Sequence, residues 1–324
     1  MKRIVLGIVL VLVAAVVILN WTWGRLPGEP ARTGRLMRLG DTTVRVIEHP
    51  GKDPAVVLIH GLPGTAQDFD DVAPLLPGRH TIAFDRPGFG YSSGGFHAFA
   101  DQLMMLDELL ASLHVQRPVL VGHSYGGTLA LAYAERRPQN VRGLVLVDAA
   151  AGGEHTGAYE RAQARFVQFL SWPVVQPIAD VTFSQLVRTA SVKRGEAQAF
   201  DPGDVDPTHE QRLLEHNMRH EDLDAYAGEE QEANDVFKRV DARLATIDAP
   251  AVVIQGAGDK LVTPDHGRKI AATLPHARLV MVDGGHMAPY VHPAVVAAAT
   301  RELLGTPKRP RELRARERAR SAAR

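Results

Sequence analysis

The sequence predicts an α/β fold: a mostly parallel sheet with helices on both faces and a helical insertion laid over one edge. Three observations carry that expectation. Short apolar, β-branched runs recur along the chain. Helix-length segments with apolar residues at helical spacing separate them. One long segment, Gly152 to Arg243, lacks strand runs and is rich in helix formers. The 324 residues suffice for one large domain with a sizeable core, or for two modest ones.

Lys2 and Arg3 precede an unbroken apolar run, Ile4 to Leu19, followed by Trp21 and Trp23. A basic start with an apolar run is a targeting or anchoring segment. With Asn20 to Trp23 it approaches the length of a spanning helix, and the tryptophans fit an interfacial anchor. Residues 1–24 therefore read as an uncleaved signal anchor. A cleaved signal peptide is the rival, but Ile18 to Trp23 is too bulky for a small-x-small cleavage site; a buried core helix is the third reading. Lys2 and Arg3 favour a cytoplasmic N-terminus, while Arg25, Arg32, Arg35 and Arg38 weaken that bias. The expected location is a membrane anchor carrying a folded domain outside the cytoplasm.

Residues 25–34 read as a linker. Thr43 to Glu48 alternates like a half-exposed strand, and Ala55 to Ile59 is a continuous run suited to a buried parallel strand. His80 to Phe84, Val119 to Val121, Leu144 to Val147, Val252 to Ile254 and Leu279 to Val282 are similar runs. Helices are expected over Asp101 to Leu113, Thr128 to Ala134, His266 to Leu274 and Pro293 to Leu304. Residues 35–151 and 244–305 thus form the core, with 152–243 as a helical cap. The first half of that cap is apolar and aromatic, with Phe166, Phe169, Trp172, Val174 and Ile178; its second half is acidic and polar. The apolar half suits packing beneath the cap or the lining of an acyl or aromatic pocket. Residues 306–324 form a tail with eight basic and two acidic residues, which leaves the rest of a formally neutral chain acidic.

Gly122-His123-Ser124-Tyr125-Gly126-Gly127 lies between a strand run and a helix run. That is the context a nucleophile elbow requires, with Ser124 on a sharp turn and Gly122 and Gly126 where a Cβ would clash. His60-Gly61-Leu62-Pro63-Gly64 follows the Ala55 to Ile59 strand, and such a turn presents backbone N–H groups. Acyl transfer needs two donors for an oxyanion, and the N–H groups of Leu62 and Tyr125 are the natural pair. The alternative is a plain Gly-Pro turn. A serine also needs a base and an orienting carboxylate. His286, in Asp283-Gly284-Gly285-His286, follows the last strand run; His292 is a weaker base, while His123 and His60 read as structural or supporting. Asp259, after Val252 to Ile254, is the favoured carboxylate, and Asp148, after Leu144 to Val147, its rival. His216 and His220 share a helical spacing but lack a third ligand, so a solvated helix is the better reading.

With these motifs in order, the chain resembles the α/β-hydrolase family, in its lipase, esterase and haloperoxidase-like branch. The resemblance runs from Arg35 to Leu304 and includes Asp85-Arg86-Pro87-Gly88-Phe89-Gly90-Tyr91-Ser92, which it casts as a structural turn near the site. It implies a Ser124–His286–Asp259 triad and an acyl-enzyme formed from a small or medium apolar ester. A C–C bond hydrolase with the same triad, or a non-catalytic ligand-binding member of the fold, are the alternatives. Serine at position 124 argues against haloalkane dehalogenases and epoxide hydrolases, which use Asp there. The absence of cysteine excludes a thiolate nucleophile, disulfides and thiolate metal sites. No nucleotide motif, metal cluster or nucleic-acid module is legible, so neither a cofactor nor a nucleic-acid partner is expected.

Overall fold

In the computed structural model the described residues are 2–22, 32–152, 165, 166, 168, 169, 172, 174–216 and 220–305. Trp23, most of the expected linker, residues 153–164 of the expected cap and the basic tail lie outside them.

Eight strands form one sheet: β1 (Arg35–Leu39), β2 (Thr42–His49), β3 (Lys52–Ile59), β4 (Arg79–Phe84), β5 (Val119–His123), β6 (Gly143–Val147), β7 (Ala251–Gly256) and β8 (Ala277–Val282). Their spatial order is β1-β2-β4-β3-β5-β6-β7-β8. β1 and β2 pair antiparallel, as do β2 and β4; every pair from β4–β3 to β7–β8 is parallel. The inner strands are buried on both faces, which is why they read as continuous apolar runs.

Alternation along each strand feeds two cores. Val57, Ile59, Leu120, Leu144, Leu146 and Val253 face one cluster, with α2 (Phe99–Ser112) and α3 (Tyr125–Arg136). Val56, Leu58, Val121, Val145, Val147 and Ile254 face the other, with the 3₁₀ turn Ala66–Phe69 and the last helix, Pro293–Gly305. The two-residue period of a strand thus sorts adjacent valines and leucines to opposite layers.

Between β6 and β7 the described residues include four α-helices: α4 (Gln176–Thr182), α5 (Ser184–Phe200), α6 (Pro207–His216) and α7 (His220–Asp241). α7 covers the first core with Ala233, Val236, Phe237 and Val240. α8 (Pro264–Thr273) follows β7, and among the described residues α9 (Ala288–Val291) and α10 (Pro293–Gly305) follow β8. Several bounds depart from the sequence expectation. β1 falls at the start of the expected core, where no strand was read, because Arg35 and Arg38 give an edge strand little apolar signature. β5 also extends two residues beyond the expected run, to His123.

At the N-terminus, α1 (Lys2–Thr22) is one continuous helix, and its stretch Val5–Thr22 is long and apolar enough to cross a membrane. It packs against α4 and α5. Asn20, just past the apolar run, is fully buried there. Its Nδ2 donates to the Val181 carbonyl at 3.3 Å, and its Oδ1 accepts the Leu186 N–H at 3.2 Å.

Candidate active site

β3, β5, β7 and β8 end along the same edge of the sheet, and each is followed by one of the segments singled out above. Ser124 stands between β5 and α3 with φ 51° and ψ −120°. A non-glycine residue adopts that backbone only where its surroundings hold it there. They do so here through hydrogen bonds. Ser124 N–H donates to Val147 O at 2.9 Å, and Ser124 O accepts from Gly127 and Ala150. A Cβ at Gly122 would strike the Gly126 carbonyl, and one at Gly126 would strike the carbonyls of Ile59 and His60. Both glycines are therefore steric requirements of the turn. Tyr125 opens α3, so its N–H is among those that a helix leaves without an intrahelical acceptor.

Gly61 brings the loop after β3 against this turn. A Cβ there would lie 3.0 Å from the Ser124 Cβ and 3.0 Å from His123 Nδ1. The Gly61 carbonyl is held by two donors, His60 Nδ1 at 2.9 Å and the Arg86 guanidinium at 2.8 Å. In a trans peptide the N–H of the next residue points opposite to that carbonyl. Clamping Gly61 O therefore aims the Leu62 N–H away from Arg86. The His60 tautomer is set by its second nitrogen, Nε2, which accepts the Arg86 backbone N–H at 2.8 Å. Burial, together with the Arg86 charge, holds the His60 pKa well below the ordinary imidazole value, so the ring is neutral.

Arg86 is the participant that sequence reasoning passed over. Its guanidinium is fully buried and pairs with Glu229 of α7 at 2.6 Å and Gln102 of α2 at 2.9 Å. It also stacks over the Tyr125 ring at 4.7 Å from the centroid. The neighbouring Asp85 ties the rest of that motif together. It forms a bidentate buried pair with Arg45 at 2.6 Å and accepts the N–H groups of Ala66 and Tyr91 at 2.8 Å.

His286, after β8, and Asp259, after β7, meet through His286 Nδ1 and Asp259 Oδ2 at 2.7 Å. Asp259 Oδ1 accepts the N–H groups of Leu261 and Val262 at 2.8 and 2.9 Å. Burial works to raise the Asp259 pKa, but the His286 charge and these hydrogen bonds prevail and hold it below the usual carboxylate value. For His286 burial acts downward, and the Asp259 charge and hydrogen bond outweigh it, so its pKa is raised. The His286 backbone is anchored at both ends: its N–H donates to Ala199 O of α5 at 2.8 Å, and its carbonyl accepts His123 Nε2 at 2.8 Å. His123, pushed down to about 3 by burial and by the His286 charge, is thus a neutral support for that loop.

Asp148 has a different task. Its carboxylate accepts the Gly256 N–H at 2.7 Å and the Ala288 N–H at 3.3 Å, bracing the loops after β7 and β8. Burial pushes its pKa up to about 8. One donor atom each of His123, Asp148 and His286 falls within 4.8 Å of the others. His292 turns away, with its Nε2 on the Asp283 carbonyl at 2.5 Å. The side chains of His216 and His220 lie outside the described ones.

The family model of the alpha/beta hydrolase fold matches residues 54–293. A pimeloyl-[acyl-carrier protein] methyl ester esterase of Xanthomonas campestris pv. campestris is 31% identical over 258 residues, covering 77% of this chain and 94% of the relative. A 2-hydroxy-6-oxononadienedioate/2-hydroxy-6-oxononatrienedioate hydrolase of Cupriavidus pinatubonensis is 27% identical over 259 residues, covering 77% and 86%. Among solved structures, a bacterial membrane phospholipase A superposes with a TM-score of 0.65 at 22% identity, covering 94% of this chain and 98% of that one. That last likeness is one of fold.

Proposed function

The chain belongs to the α/β-hydrolase fold family and is a hydrolase; within that family we propose that it cleaves carboxylic esters of small or medium apolar acids through Ser124, His286 and Asp259. The observation that carries the reading is the strained Ser124 turn, at the same sheet edge as a buried His286–Asp259 pair. His286 Nε2 takes the Ser124 proton as Oγ attacks the ester carbonyl carbon. The N–H groups of Leu62 and Tyr125 bind the resulting oxyanion. His286 then protonates the departing alkoxide, and the alcohol leaves. Water, deprotonated by the same imidazole, hydrolyses the acyl-enzyme and returns the proton to Ser124. Throughout, Asp259 holds Nδ1–H and stabilises the imidazolium without taking its proton.

The ester preference draws on the Xanthomonas relative, a methyl ester esterase. The Cupriavidus relative, a hydrolase of a 2-hydroxy-6-oxo dienoate, keeps C–C bond cleavage by the same triad as the second reading. A p-nitrophenyl ester series from acetate to palmitate, assayed with the full chain in detergent, distinguishes them. Activity should peak at one chain length and fall by on the order of 10⁶ in kcat in Ser124→Ala. Full activity in Ser124→Ala overturns the triad. A folded wild type that is inert to every ester, yet labelled at Ser124 by a fluorophosphonate, moves the reaction to C–C cleavage; absence of labelling indicates a ligand-binding member.

α1 serves in this reading as an uncleaved anchor, with the hydrolase outside the cytoplasm and residues 152–243 as its cap. The length and apolarity of Val5–Thr22 and the basic Lys2 and Arg3 support it. An alkaline-phosphatase fusion at the C-terminus should be active; an inactive but expressed fusion reverses the orientation.

A further inference from the structure

We propose that the described apolar residues of the first half of the cap, Phe166, Phe169, Trp172, Val174, Ile178 and Val181, are themselves immersed in the lipid leaflet that α1 crosses. This rests on the anchoring role of α1 proposed above and extends it to a second membrane contact.

The first observation is exposure. Phe166, Phe169, Trp172, Val174, Ile178 and Val181 all present large apolar side chains to the outside, with Trp172 59%, Ile178 63% and Val174 80% exposed. Soluble proteins bury such residues or scatter them singly, and a contiguous apolar patch marks a contact surface. Here they follow one another along one stretch of chain. Phe169 and Trp172 stack edge to face at 5.4 Å, so the patch has its own local order.

The second observation is position. α4, which holds Ile178 and Val181, packs against α1, and the buried Asn20 amide bonds to both sides of the α4–α5 corner. The anchor is therefore docked onto the cap. A helix packed beside the last turns of a spanning helix sits at the depth of those turns. Trp21, one residue beyond Asn20, has the amphipathic ring that interfaces favour. α4 and the residues leading into it thus occupy the boundary between headgroups and acyl chains, where amphipathic segments with Trp and Phe settle.

The third observation is the polar accounting of α4. A segment in hydrocarbon must satisfy its backbone internally. Three carbonyls near the end of this helix have donors. Ile178 O accepts the Thr182 hydroxyl at 2.7 Å, Ala179 O accepts the Phe183 N–H at 2.9 Å, and Val181 O accepts the Asn20 amide.

The consequence reaches the site. α5 starts at this corner and carries, one residue before its end, Ala199, whose carbonyl holds the His286 N–H. From Leu186 to Ala199 a helix rises about 20 Å. One rigid element would thus join the membrane contact to the loop of the proposed catalytic base.

The chain holds three tryptophans, Trp21, Trp23 and Trp172, which allows a direct test. The full chain is reconstituted in phosphatidylcholine vesicles whose acyl chains carry bromine. In Trp21→Phe/Trp23→Phe the fluorescence comes from Trp172 alone; in Trp172→Phe it comes from Trp21 and Trp23. Quenching in both variants is the expected result. Quenching of α1 alone, with Trp172 emitting as a water-exposed indole, overturns the immersed cap and leaves the anchor standing. An unquenched, blue-shifted Trp172 together with a cross-linked dimer assigns the face to a second copy and also overturns the proposal. Release of the whole protein by alkaline wash, with neither variant quenched, removes the anchor and the immersed cap together.

Discussion

Two buried carboxyl groups close to the proposed base differ in what surrounds them. Asp259 receives two backbone N–H groups on one oxygen and His286 Nδ1 on the other, and its ionised form is favoured. Asp148 receives N–H groups too, but its deeper burial dominates, and it titrates near 8. The sequence left these two as rivals because both follow an apolar strand run. Only the packing of the β7 and β8 loops separates them. The difference makes a prediction about pH. Free His286 must be unprotonated to accept the Ser124 proton, so kcat/KM falls as pH drops through its pKa. That pKa is raised, so the acidic limb should have its midpoint above 6.5. Asp259→Asn removes the two largest influences that raise it, its charge and its hydrogen bond, and leaves burial, which lowers it, opposed by the Asp148 charge. The limb should then move to lower pH while kcat falls by on the order of 10⁴. Asp148→Asn, which mimics a neutral carboxyl, should retain most of the activity. A pH–rate profile of the three proteins reads this, and an unshifted limb in Asp259→Asn would remove that residue from the proposed triad.

At the scale of elements, the loop after β3 is tied to α7 by Arg86. The guanidinium touches the Gly61 carbonyl on one side and Glu229 on the other, 143 residues further along the chain. Nothing local in the sequence announces that pair, because its meaning lies in where α7 packs. The Gly-rich turns were legible for the opposite reason: a backbone that must pass within van der Waals distance of another leaves a glycine at the spot. β1 was missed and α4 to α7 were read only as one helical insertion, since an exposed edge strand and amphipathic helices carry weaker patterns than inner strands. The Arg86 strut has a separable test. Arg86→Met leaves Glu229 buried without its partner and should cost about 3–5 kcal/mol of stability. It should also lower kcat on the order of 10²-fold, with KM little changed, because Leu62 N–H loses its aim. The double change Arg86→Met/Glu229→Gln removes the stranded charge, so stability should largely return while kcat stays low. Recovery of both, measured by thermal melting and by ester hydrolysis, would reduce Arg86 to a purely structural residue.

Across the whole molecule, the proposed catalytic groups stand at positions 124, 259 and 286, yet the parallel sheet delivers them to one edge. Strand identity was readable from apolar runs, whereas strand order was not. The placement of β3 between β4 and β5 follows from long-range pairing that no local pattern encodes. The attachment of α1 was equally illegible, since an anchor reads from its own composition and its docking depends on Asn20 and the α4–α5 corner. That attachment separates two properties of the enzyme. Among the described elements, α1 packs against α4 and α5, whereas the proposed catalytic groups follow β5, β7 and β8. A chain beginning at residue 24, kept in detergent, should therefore hydrolyse short soluble esters at close to the full rate. Its α4–α5 corner should nevertheless loosen, because the Val181 carbonyl and the Leu186 N–H lose the Asn20 amide, each at a cost of about 1–3 kcal/mol where buried. Hydrogen exchange should accelerate over residues 181–187 and remain slow in β5 to β7. Loss of soluble-ester hydrolysis in that shortened chain, with sheet protection intact, would mean that α1 reaches the chemistry through α5. The link from the α4–α5 corner, the proposed membrane contact, to the His286 loop would then be part of catalysis as well as of attachment.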